Sequence, residues 1–453
     1  MDTVLFILSL TLKIFTLYFV VVAVFALRRR KRYPHADPAT RFAVVVAARN
    51  EEAVIGDLVH SVLDQAYPQA LRDVFVVPNN CTDDTAGAAQ RAGAEIIHCL
   101  EPVRGKGEAL HQAFDQLRDR GYDAFLVFDA DNTLAPDYLA RMNDAFCAGA
   151  KVCKSRTKAA NPTAAGVAGC YGLYFTCFDL IWNRPRSACG LSAKRIGTGC
   201  GFTREVLEGL GGWNTSTIAE DAEFAAQCAR AGYRVHWVPE AVNYDEEPTS
   251  FLVSLRQRKR WCSGVMQVAR QEVPRLWAVD VPRPELRWDM TMFLVASFIQ
   301  ASSGLLMLAS LGLNLASGEL AALWLSLACM GLTLLSGMAL GAALCLLGGY
   351  GLRGMGRSIL LFPIFTATWL PLQMLSLFKD TKKWQVIAHA QRRAGRGKVG
   401  GVARVVEEGG ALAGAKHDAG KPRAAQQGAE KHDLPAGKRD LAGNDAVRAK
   451  DEQ

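Results

Sequence analysis

The sequence predicts an α/β domain with a largely parallel sheet, set between membrane-spanning helices. Two observations predict this fold class. Short β-branched runs alternate with helical patterns between residues 41 and 285, and long apolar runs lie on both sides of that block. Alternating strands and helices are typical of a parallel sheet with helices on its faces.

The composition agrees with a membrane protein. Half of the 453 residues are hydrophobic and 21% are charged, but the apolar residues are gathered into a few long runs. The 12 cysteines include no CxxC pair and no Cys/His cluster at zinc spacing, so neither a disulfide scaffold nor a zinc site is predicted. The formal net charge is +8, and much of the basic excess lies beside apolar runs, where it suits anionic lipid head groups. A nucleic-acid partner is not required, and a lipid bilayer is.

The first apolar run predicts an uncleaved membrane anchor. It extends from Val4 to Leu27, which at about 1.5 Å per residue is long enough to cross a hydrocarbon core of about 30 Å. A basic block follows it, whereas a secretory signal carries its positive charges before the apolar stretch. We therefore predict an anchor with its basic flank over residues 1–32, with the carboxyl end in the cytoplasm.

Three more apolar runs, at about 290–313, 319–348 and 357–378, predict a membrane region over residues 287–380. Four spans with the central block inside would place both termini outside, whereas the basic residues after the last run, beginning with Lys379, favour the inside. Pro363 and Pro371 interrupt that run, so a broken or re-entrant segment is the alternative.

The remaining boundaries follow from composition. Residues 33–286 are predicted to form the cytoplasmic domain, with its interfacial helices, of a multi-pass protein of the inner (plasma) membrane. Residues 381–453 have almost no large apolar side chains and are predicted to be a basic flank and a disordered tail.

Polar residues follow the first strands of the predicted sheet. Phe42–Ala47 ends at a turn containing Arg49 and Glu51, and Val74–Val77 ends at a turn containing Asn79 and Asp83. Ligands of such sheets bind at the carboxyl ends of the strands. Either turn alone says little, because Asn and Asp cap most strand-to-helix turns.

A basic loop, Arg104-Gly105-Lys106-Gly107, opens the third predicted helix. Its charge and the free amides of a helix start suit a phosphate. The strand Phe125–Phe128 then ends at Asp129-Ala130-Asp131. Two carboxylates one residue apart repel each other unless a cation lies between them, so this pair predicts a divalent metal that bridges a diphosphate, against the alternative of a turn cap.

The order of these motifs from Val44 to Trp261 resembles the family 2 glycosyltransferases with the GT-A fold. The resemblance is to the membrane-embedded branch, which includes cellulose, chitin-oligosaccharide, hyaluronan and poly-N-acetylglucosamine synthases. It implies a nucleotide-sugar-binding, Rossmann-like GT-A domain in the cytoplasm, joined to an α-helical transmembrane bundle. It also implies an inverting hexosyl- or N-acetylhexosaminyltransferase.

The resemblance assigns the two polar turns to the nucleotide's base and ribose, which maps onto Arg49, Glu51, Asn79 and Asp83. Many relatives have an aspartate at the position of Asn79. An amide oxygen can still accept a hydrogen bond from uracil N3, so a UDP-sugar is the expected donor.

The resemblance also implies that Asp129 contacts the nucleotide and that Asp131, with Asp129, binds Mg²⁺ or Mn²⁺. The family's catalytic base maps onto Asp221, next to Glu220; Ala219 replaces the threonine of most relatives. The base would take a proton from an acceptor hydroxyl as that oxygen attacks the anomeric carbon, opposite the departing diphosphate. Helix capping by the two carboxylates is compatible with this role.

Gln257, Arg260 and Trp261 match the family's Gln-x-x-Arg-Trp signature and share one helix face. Arg260, together with Lys106, would add positive charge at the leaving diphosphate, and Trp261 could stack under an acceptor sugar. The alternative is a basic amphipathic helix at the lipid interface. Trp213 is expected either to line the acceptor site or to be a core residue.

These motifs predict a synthase that adds sugars from a UDP-sugar to a growing glycan chain, in processive fashion. The alternative is a non-processive enzyme that adds one or a few sugars to a lipid acceptor, since four spans leave a narrow lumen. A protein that only senses nucleotide sugars is disfavoured, because Asp131, Asp221 and Trp261 are all intact.

Overall fold

The structure, a computed structural model, describes residues 2–28, 30, 32–193, 197–316, 318, 320–379 and 381. The strands are β1 (Phe42–Ala48), β2 (Arg72–Pro78), β3 (Glu95–Ile96), β4 (Ala124–Phe128), β5 (Asn132–Leu134), β6 (Val152–Ala159), β7 (Cys200–Thr203) and β8 (Val235–Asp245). The helices of the amino-terminal part and the central domain are α1 (Asp2–Val24), α2 (Ile55–Leu63), α3 (Thr85–Arg91), α4 (Lys106–Leu117), α5 (Tyr138–Cys147), α6 (Gly166–Phe178), α7 (Arg184–Cys189), α8 (Arg204–Gly209), α9 (Glu220–Arg230) and α10 (Phe251–Ala278). They are followed by α11 (Pro284–Ala316), α12 (Leu320–Leu347), α13 (Leu352–Ala367) and α14 (Trp369–Phe378).

The eight strands pair into one sheet in the order β3-β2-β1-β4-β7-β6-β8-β5. The half formed by β3, β2, β1 and β4 is parallel, as the alternation of strands and helices predicts. β7 runs antiparallel to both of its neighbours, and β5 runs antiparallel to β8. The parallel half therefore places the carboxyl ends of β1, β2 and β4 at one edge.

The central strand β1 connects two hydrophobic layers. All seven of its residues are buried, and alternate side chains point to opposite faces of the sheet. Phe42, Val44 and Val46 pack on one face with α2 and α5, whereas Ala43 and Val45 pack on the other with α4. Burial on both faces explains why the β1 sequence is a continuous apolar run.

Three helical stretches among the described residues are long and apolar enough to cross a membrane: Pro284–Leu313, Trp324–Leu347 and Leu352–Phe378. The third is broken, because α13 ends at Ala367 and α14 begins at Trp369, in the stretch that contains the two prolines. The fully buried Arg258 of α10 donates from Nη1 to the Phe365 carbonyl and to Thr368 Oγ1, each at 2.7 Å. It thereby satisfies groups that the break exposes.

The predicted anchor is helical. α1 covers 23 residues, and the stretch Leu12–Leu27 is apolar. The Tyr18 hydroxyl donates to Asp289 Oδ1 at 2.7 Å, and Arg186 Nη2 lies 2.9 Å from the same carboxylate oxygen. The Arg186 guanidinium stacks 3.7 Å from the Trp182 ring centroid. These contacts join α1 to α7 and α11; apart from Thr381, the predicted tail lies outside the described residues.

Candidate active site

A cavity of about 670 Å³ opens at the carboxyl ends of β1, β2 and β4 and continues past α10 to α11 and α14. Its size lies within the range of about 300–1,000 Å³ that is typical of ligand sites. Most of the predicted site residues line it: Arg49, Glu51, Asn79, Lys106, Asp129, Asp131, Glu220, Asp221, Gln257, Arg260 and Trp261. The cavity therefore brings together motifs that are more than 200 residues apart in the chain.

Asn79 presents a buried hydrogen-bond acceptor where β2 ends. The residue is 5% exposed, and its Oδ1 has no hydrogen-bond partner within the described part of the chain. The neighbouring turns are fixed to each other, because Asn50 Oδ1 accepts the Thr82 N–H at 2.7 Å. Asn50 has a φ of 58°, a left-handed conformation that asparagine tolerates better than most residues. A buried unpaired amide oxygen is costly unless a ligand supplies a donor.

Two predicted site residues lie elsewhere. Asp83 is exposed and does not line the cavity; its carboxylate accepts the backbone N–H groups of Glu52 at 3.1 Å and Thr85 at 3.2 Å, so it fixes the turn. Trp213 is fully buried in the core and stacks on Phe224 with ring centroids 4.3 Å apart. The core alternative for Trp213 is the one that the structure shows, because a side chain with no exposed surface cannot contact an acceptor.

Lys106 lies between two acidic groups at the start of α4. Its ammonium is ion-paired with Asp129, and its Nζ lies 3.3 Å from Glu220 Oε1. Burial lowers the pKa of Lys106, but the two carboxylates outweigh burial and hold that pKa above its ordinary value. Burial raises the pKa of Asp129, and Lys106 more than offsets this, so the pKa of Asp129 is lowered. Burial raises the pKa of Glu220, which the neighbouring Asp221 raises further. In this cluster, the positive charge of Lys106 therefore faces more than one carboxyl group that can carry a negative charge.

Further carboxylates surround Asp131. Asn132, which pairs with Asp245 between β5 and β8, donates from Nδ2 to Asp131 Oδ1 at 3.2 Å and to Asp245 Oδ1 at 2.9 Å. Glu247 is 3% exposed, and its Oε1 has no hydrogen-bond partner in the ranges that the structure describes. Burial, and then the neighbouring acidic groups, raise the pKa values of Asp245 and Glu247 well above their usual range.

This donor set fits a divalent cation that is completed by ligands from a substrate. Within the described residues, no group of three or more His, Cys, Asp or Glu side chains converges closely enough to hold a metal ion alone. Mg²⁺ is commonly bound by one or two carboxylates together with substrate phosphates. Sequence reasoning found Asp129 and Asp131 but missed Asp245 and Glu247, because no spacing rule connects β8 with the end of β4.

Asp221 stands in the first turn of α9 and faces the cavity. The Gly197 N–H donates to its Oδ2, and Gly197 has a φ of 50°, which glycine adopts readily. α10 packs closely against this helix start, since a Cβ at Gly264 would lie 2.7 Å from Ala219 Cβ. The Asp221 carboxylate is therefore held by the loop before β7, and the start of α9 that carries it packs against α10.

The Gln-x-x-Arg-Trp residues lie on one face of α10, as predicted. Gln257 Oε1 accepts the Tyr171 hydroxyl at 2.6 Å, and Trp261 packs edge-on against the Tyr171 ring. Arg260 is close enough to the acidic edge to lower the pKa of Asp129, after the larger effects of burial and Lys106. The Trp261 ring stacks on Trp369 of α14 with ring centroids 6.2 Å apart. This face therefore connects the sheet edge with the membrane helices.

Beyond Trp261 the cavity continues between α6, the π-helical turn and the apolar helices α11 and α14. This part of the cavity, named here the membrane-level chamber, was not predicted from the sequence. Its α11 lining recurs at helical spacing, so one stripe of that helix faces inward. Opposite α11, the π-helical turn Asp179–Asn183 presents Trp182, whose ring contacts Phe293. The residues of the membrane-level chamber are Tyr174, Phe175, Phe178, Asp179, Trp182, Asn183, Phe293, Ala296, Ser297, Gln300, Trp369 and Gln373.

Two glutamines connect α11 and α14 in this chamber. Gln373 Nε2 donates to Gln300 Oε1 at 2.6 Å. One turn beyond Gln300, a Cβ at Gly304 would lie 2.8 Å from Leu370 Cδ1 and from Met374 Sδ, so α11 and α14 are in close contact there. A polar residue inside an apolar helix usually faces a partner or a substrate path. Gln300 and Gln373 therefore carried a signal that sequence reasoning could have used.

A twisted, mostly parallel sheet with an acidic pair at the end of β4 defines a GT-A-type nucleotide-binding fold. Residues 38–264, half of the chain, match the family described as "Glycosyltransferase like family 2". The chain belongs to this family.

Similar proteins agree with this assignment. The chain is 28% identical over 271 residues to the probable glycosyltransferase YdaM of Bacillus subtilis (strain 168), covering 57% of this chain and 63% of that protein. It is 25% identical over 280 residues to a beta-monoglucosyldiacylglycerol synthase of Nostoc sp., covering 57% and 55%. It is 24% identical over 242 residues to a poly-beta-1,6-N-acetyl-D-glucosamine synthase of Staphylococcus aureus, covering 52% and 57%. The chain thus spans less than two thirds of the length of each relative.

A solved structure supports the fold beyond the sheet domain. The mannosyltransferase PcManGT from Pyrobaculum calidifontis, in complex with GDP-Man and Mn²⁺, superposes with a TM-score of 0.58 at 21% identity. The alignment covers 83% of this chain and 99% of that one. The GT-A domain and the apolar helices predicted from the sequence are confirmed as the fold.

Proposed function

We propose that this protein transfers a sugar, with inversion, from a UDP-sugar to a lipid acceptor held at the level of the membrane helices. The observation that carries the proposal is the continuity of one cavity, from the polar turns at the sheet edge to the membrane-level chamber. A donor at the first end and an acceptor at the second would meet at Asp221 and Arg260. The catalytic domain would face the cytoplasm from the inner membrane.

The donor end suits a uridine diphosphate. Asn79 Oδ1 is a buried acceptor without a partner inside the described ranges, which fits the N3–H of uracil. Arg49 and Glu51 line the same end and are assigned to the nucleotide. Lys106 and Arg260 would stabilise the negative charge that develops on the leaving diphosphate.

The chemistry requires a base on the acceptor side. We assign this role to Asp221, which would take the proton of the acceptor hydroxyl while that oxygen attacks the anomeric carbon. Glu220 would hold Lys106 in place at a distance of 3.3 Å. Asp129 and Asp131 would hold Mg²⁺ or Mn²⁺, which when bound neutralises the diphosphate as a Lewis acid.

The acceptor end favours a lipid because the apolar helices α11 and α14 form one side of the chamber, and because its lining side chains are mostly aromatic and apolar. Close contact of α11 with α14 at Gly304 limits the space between these two helices beyond Gln300. The relative from Nostoc is named for the synthesis of a glucosyldiacylglycerol, a product with a lipid acceptor. We therefore rank a lipid acceptor above the growing glycan chain that the motifs alone favour.

A processive polysaccharide synthase is the second candidate function. The near-parallel stacking of Trp261 on Trp369, with ring planes 22° apart, favours it, because flat aromatic surfaces bind sugar rings. The relative from Staphylococcus aureus is named as a polymer synthase. Under this proposal a glycan would occupy the chamber in place of a lipid head.

Filling the chamber tests the role of the continuous cavity. Ala296 lies on the inner stripe of α11, so Ala296→Trp should lower kcat/KM for the lipid acceptor by about five- to 150-fold, since overpacking costs roughly 1–3 kcal/mol. UDP binding should be unchanged. Ala328→Trp, on an exposed part of α12, is the matched control. Equal transfer by the two variants would contradict the acceptor path.

A further inference from the structure

We infer that the last apolar stretch, Leu352–Phe378, does not cross the membrane. It enters the bilayer from the side of the central domain, turns at the break between α13 and α14, and returns to that side. Its outward face contacts lipid of one leaflet only. The inference concerns the membrane and not the reaction, so it does not depend on the proposed function. It decides between the spanning and the re-entrant alternatives that the sequence leaves open.

The stretch begins on the central domain. A Cβ at Gly169, near the start of α6, would lie 2.0 Å from Ser358 Oγ, so α13 packs directly on the backbone of α6. Cys170 Sγ donates to the Ser358 carbonyl at 3.4 Å. Just before α13, the Tyr350 hydroxyl lies 2.9 Å from the position that a Cβ at Gly172 would take. Because α6 follows the sheet strand β6 within a few residues, α13 starts on the side of the sheet.

The stretch also ends on the central domain. The Thr381 N–H donates to Ser263 Oγ at 2.8 Å, and Gln267 Nε2 donates to the Thr381 carbonyl at 3.1 Å. Both partners lie on α10 within one turn of Gly264, where α10 packs against Ala219 before α9. Within the described ranges, α10 is not among the stretches apolar enough to cross a membrane, since basic side chains recur along it. The end of the stretch therefore lies at the level of the central domain.

The break in the stretch rests on α10 as well. Arg258 holds the Phe365 carbonyl and the Thr368 hydroxyl, and Trp261 stacks on Trp369. The stretch thus contacts helices of the central domain at its start, at its break and at its end. A stretch that crossed to the other side of the bilayer would leave these helices behind at one of its ends.

The stretch reaches only part of the depth of the α11–α12 pair. A Cβ at Gly337 would lie 2.9 Å from Pro363 Cβ, and α12 extends 17 residues from that contact back to its start, which is about 25 Å along a helix. Leu370 packs on Gly304, and α11 extends 12 residues further to its end, about 18 Å. Large apolar side chains are exposed on these outer parts, among them Met307, Leu308, Leu311, Trp324, Leu325 and Met330.

The outward side of the stretch is apolar at helical spacing. Leu360 and Ile364 on α13 are exposed four residues apart, and Leu375 and Phe378 on α14 are exposed three residues apart. Polar side chains are found on the inner side, where Ser376 is fully buried. A helix with polar groups towards the protein and apolar groups outwards is suited to lipid and not to water. We assign this outward face to the hydrocarbon of the leaflet on the side of the central domain.

A returning stretch also accounts for the basic residues that follow it. Arg30, in the basic flank of α1, is ion-paired with Glu240 of β8, so that flank lies on the side of the central domain. The return of the last stretch places Lys379 on the same side. Both basic flanks then agree with the excess of Lys and Arg on the inner side of membrane proteins. Four spans would instead separate them.

The experiment maps the two sides of the membrane with one epitope tag in each full-length variant. The tag follows Gln453 in the test variant. In the two controls it is inserted at Gly149, in an exposed turn of the central domain, or at Gly318, in the turn between α11 and α12. Antibody labelling is compared between sealed bacterial spheroplasts and inverted membrane vesicles. We expect the tag after Gln453 to be labelled in the same preparation as the tag at Gly149, and the tag at Gly318 in the other.

A second measurement needs no tag. A photoreactive benzoylphenylalanine in place of Thr381 should cross-link to α10 around Ser263, whereas the same group in place of Gly318 should give no link to the central domain. UDP binding by each chain reports that the domain is folded. Labelling of the Gln453 tag together with the Gly318 tag, or a folded Thr381 variant that gives no link to α10, would overturn the inference. Neither result bears on the acceptor, so the proposed function is tested separately.

Discussion

Replacing Lys106 by glutamine tests whether the acidic edge of the sheet needs a cation. The substitution leaves Asp129 and Glu220 facing each other's charge without the ammonium that now separates them. Breaking a buried ion pair costs about 3–5 kcal/mol. The Asp129 side chain is 41% exposed, so water screens part of this loss. We therefore expect unfolding free energy to fall by about 1–3 kcal/mol.

The loss of unfolding free energy in Lys106→Gln should depend on pH and on added cation. In the wild type, Lys106 holds the pKa of Asp129 below its ordinary value. This shift stabilises the folded protein at pH values above the pKa of Asp129 in the unfolded chain, and the stabilisation is lost as pH falls through the pKa of Asp129 in the folded protein. Without Lys106, the pKa values of both carboxylates rise, so the variant loses stability as pH increases. The difference between variant and wild type should be largest near pH 8 and shrink towards pH 5. Millimolar Mn²⁺ should restore part of it, because the ion replaces the missing positive charge.

The assay is denaturant unfolding of the purified protein in detergent, followed at several pH values with and without Mn²⁺. Lys151→Gln is the control, since Lys151 pairs with Glu205 on the surface with both side chains about half exposed, and such pairs contribute about 0–1 kcal/mol. If the free energy of unfolding fell by the same amount in Lys106→Gln and Lys151→Gln at every pH, the claim that the acidic edge of the sheet needs the Lys106 cation would be refuted.

Three further variants test individual roles. Asp221→Asn should reduce kcat by about 10²–10⁴-fold while leaving donor affinity nearly unchanged; equal losses of transfer and donor binding in a titration calorimetry experiment would contradict its role as base. Asp131→Ala should weaken donor binding only when Mg²⁺ or Mn²⁺ is present, and undiminished activity in a steady-state assay would remove it from the site. Trp369→Leu should raise the acceptor KM about two- to tenfold through loss of aromatic contact, with the donor KM constant; an effect on the donor KM alone would place Trp369 outside the acceptor path.

The parallel half of the sheet could be predicted because each of its strands and turns has a recognisable local sequence pattern. β1 is a continuous apolar run closed by a polar turn, and the predicted strands Phe42–Ala47 and Phe125–Phe128 each agree with the observed strand to within one residue at each end. The common face of Gln257, Arg260 and Trp261 also follows from helical spacing alone. By contrast, β6 has Lys154 and Lys158 within it, and β5 is only three residues long. Such strands have no periodic signal and form because neighbouring strands pair with them.

Site residues could be predicted where a single sequence motif contains them, but not where residues from distant segments of the chain meet. Asp129 and Asp131 are separated in sequence only by Ala130, whereas Asp245 reaches them only through the pairing of β5 with β8. The membrane-level chamber combines residues from α6, the π-helical turn, α11 and α14, and no local pattern joins these segments. Asp83 and Trp213 each fit a local motif, but the structure places Asp83 in a turn outside the cavity and Trp213 in the core, which is one of the two positions expected for it.

The most direct test of the account is a transfer assay with a panel of radiolabelled UDP-sugars, purified membranes that contain the protein, and Mg²⁺ or Mn²⁺. The product is partitioned between water and organic solvent and then sized. We expect that label from one donor enters a short, solvent-extractable product only when the metal is present, and that membranes with Asp221→Asn yield none. A long product that stays in the aqueous or insoluble fraction would contradict the lipid-acceptor assignment.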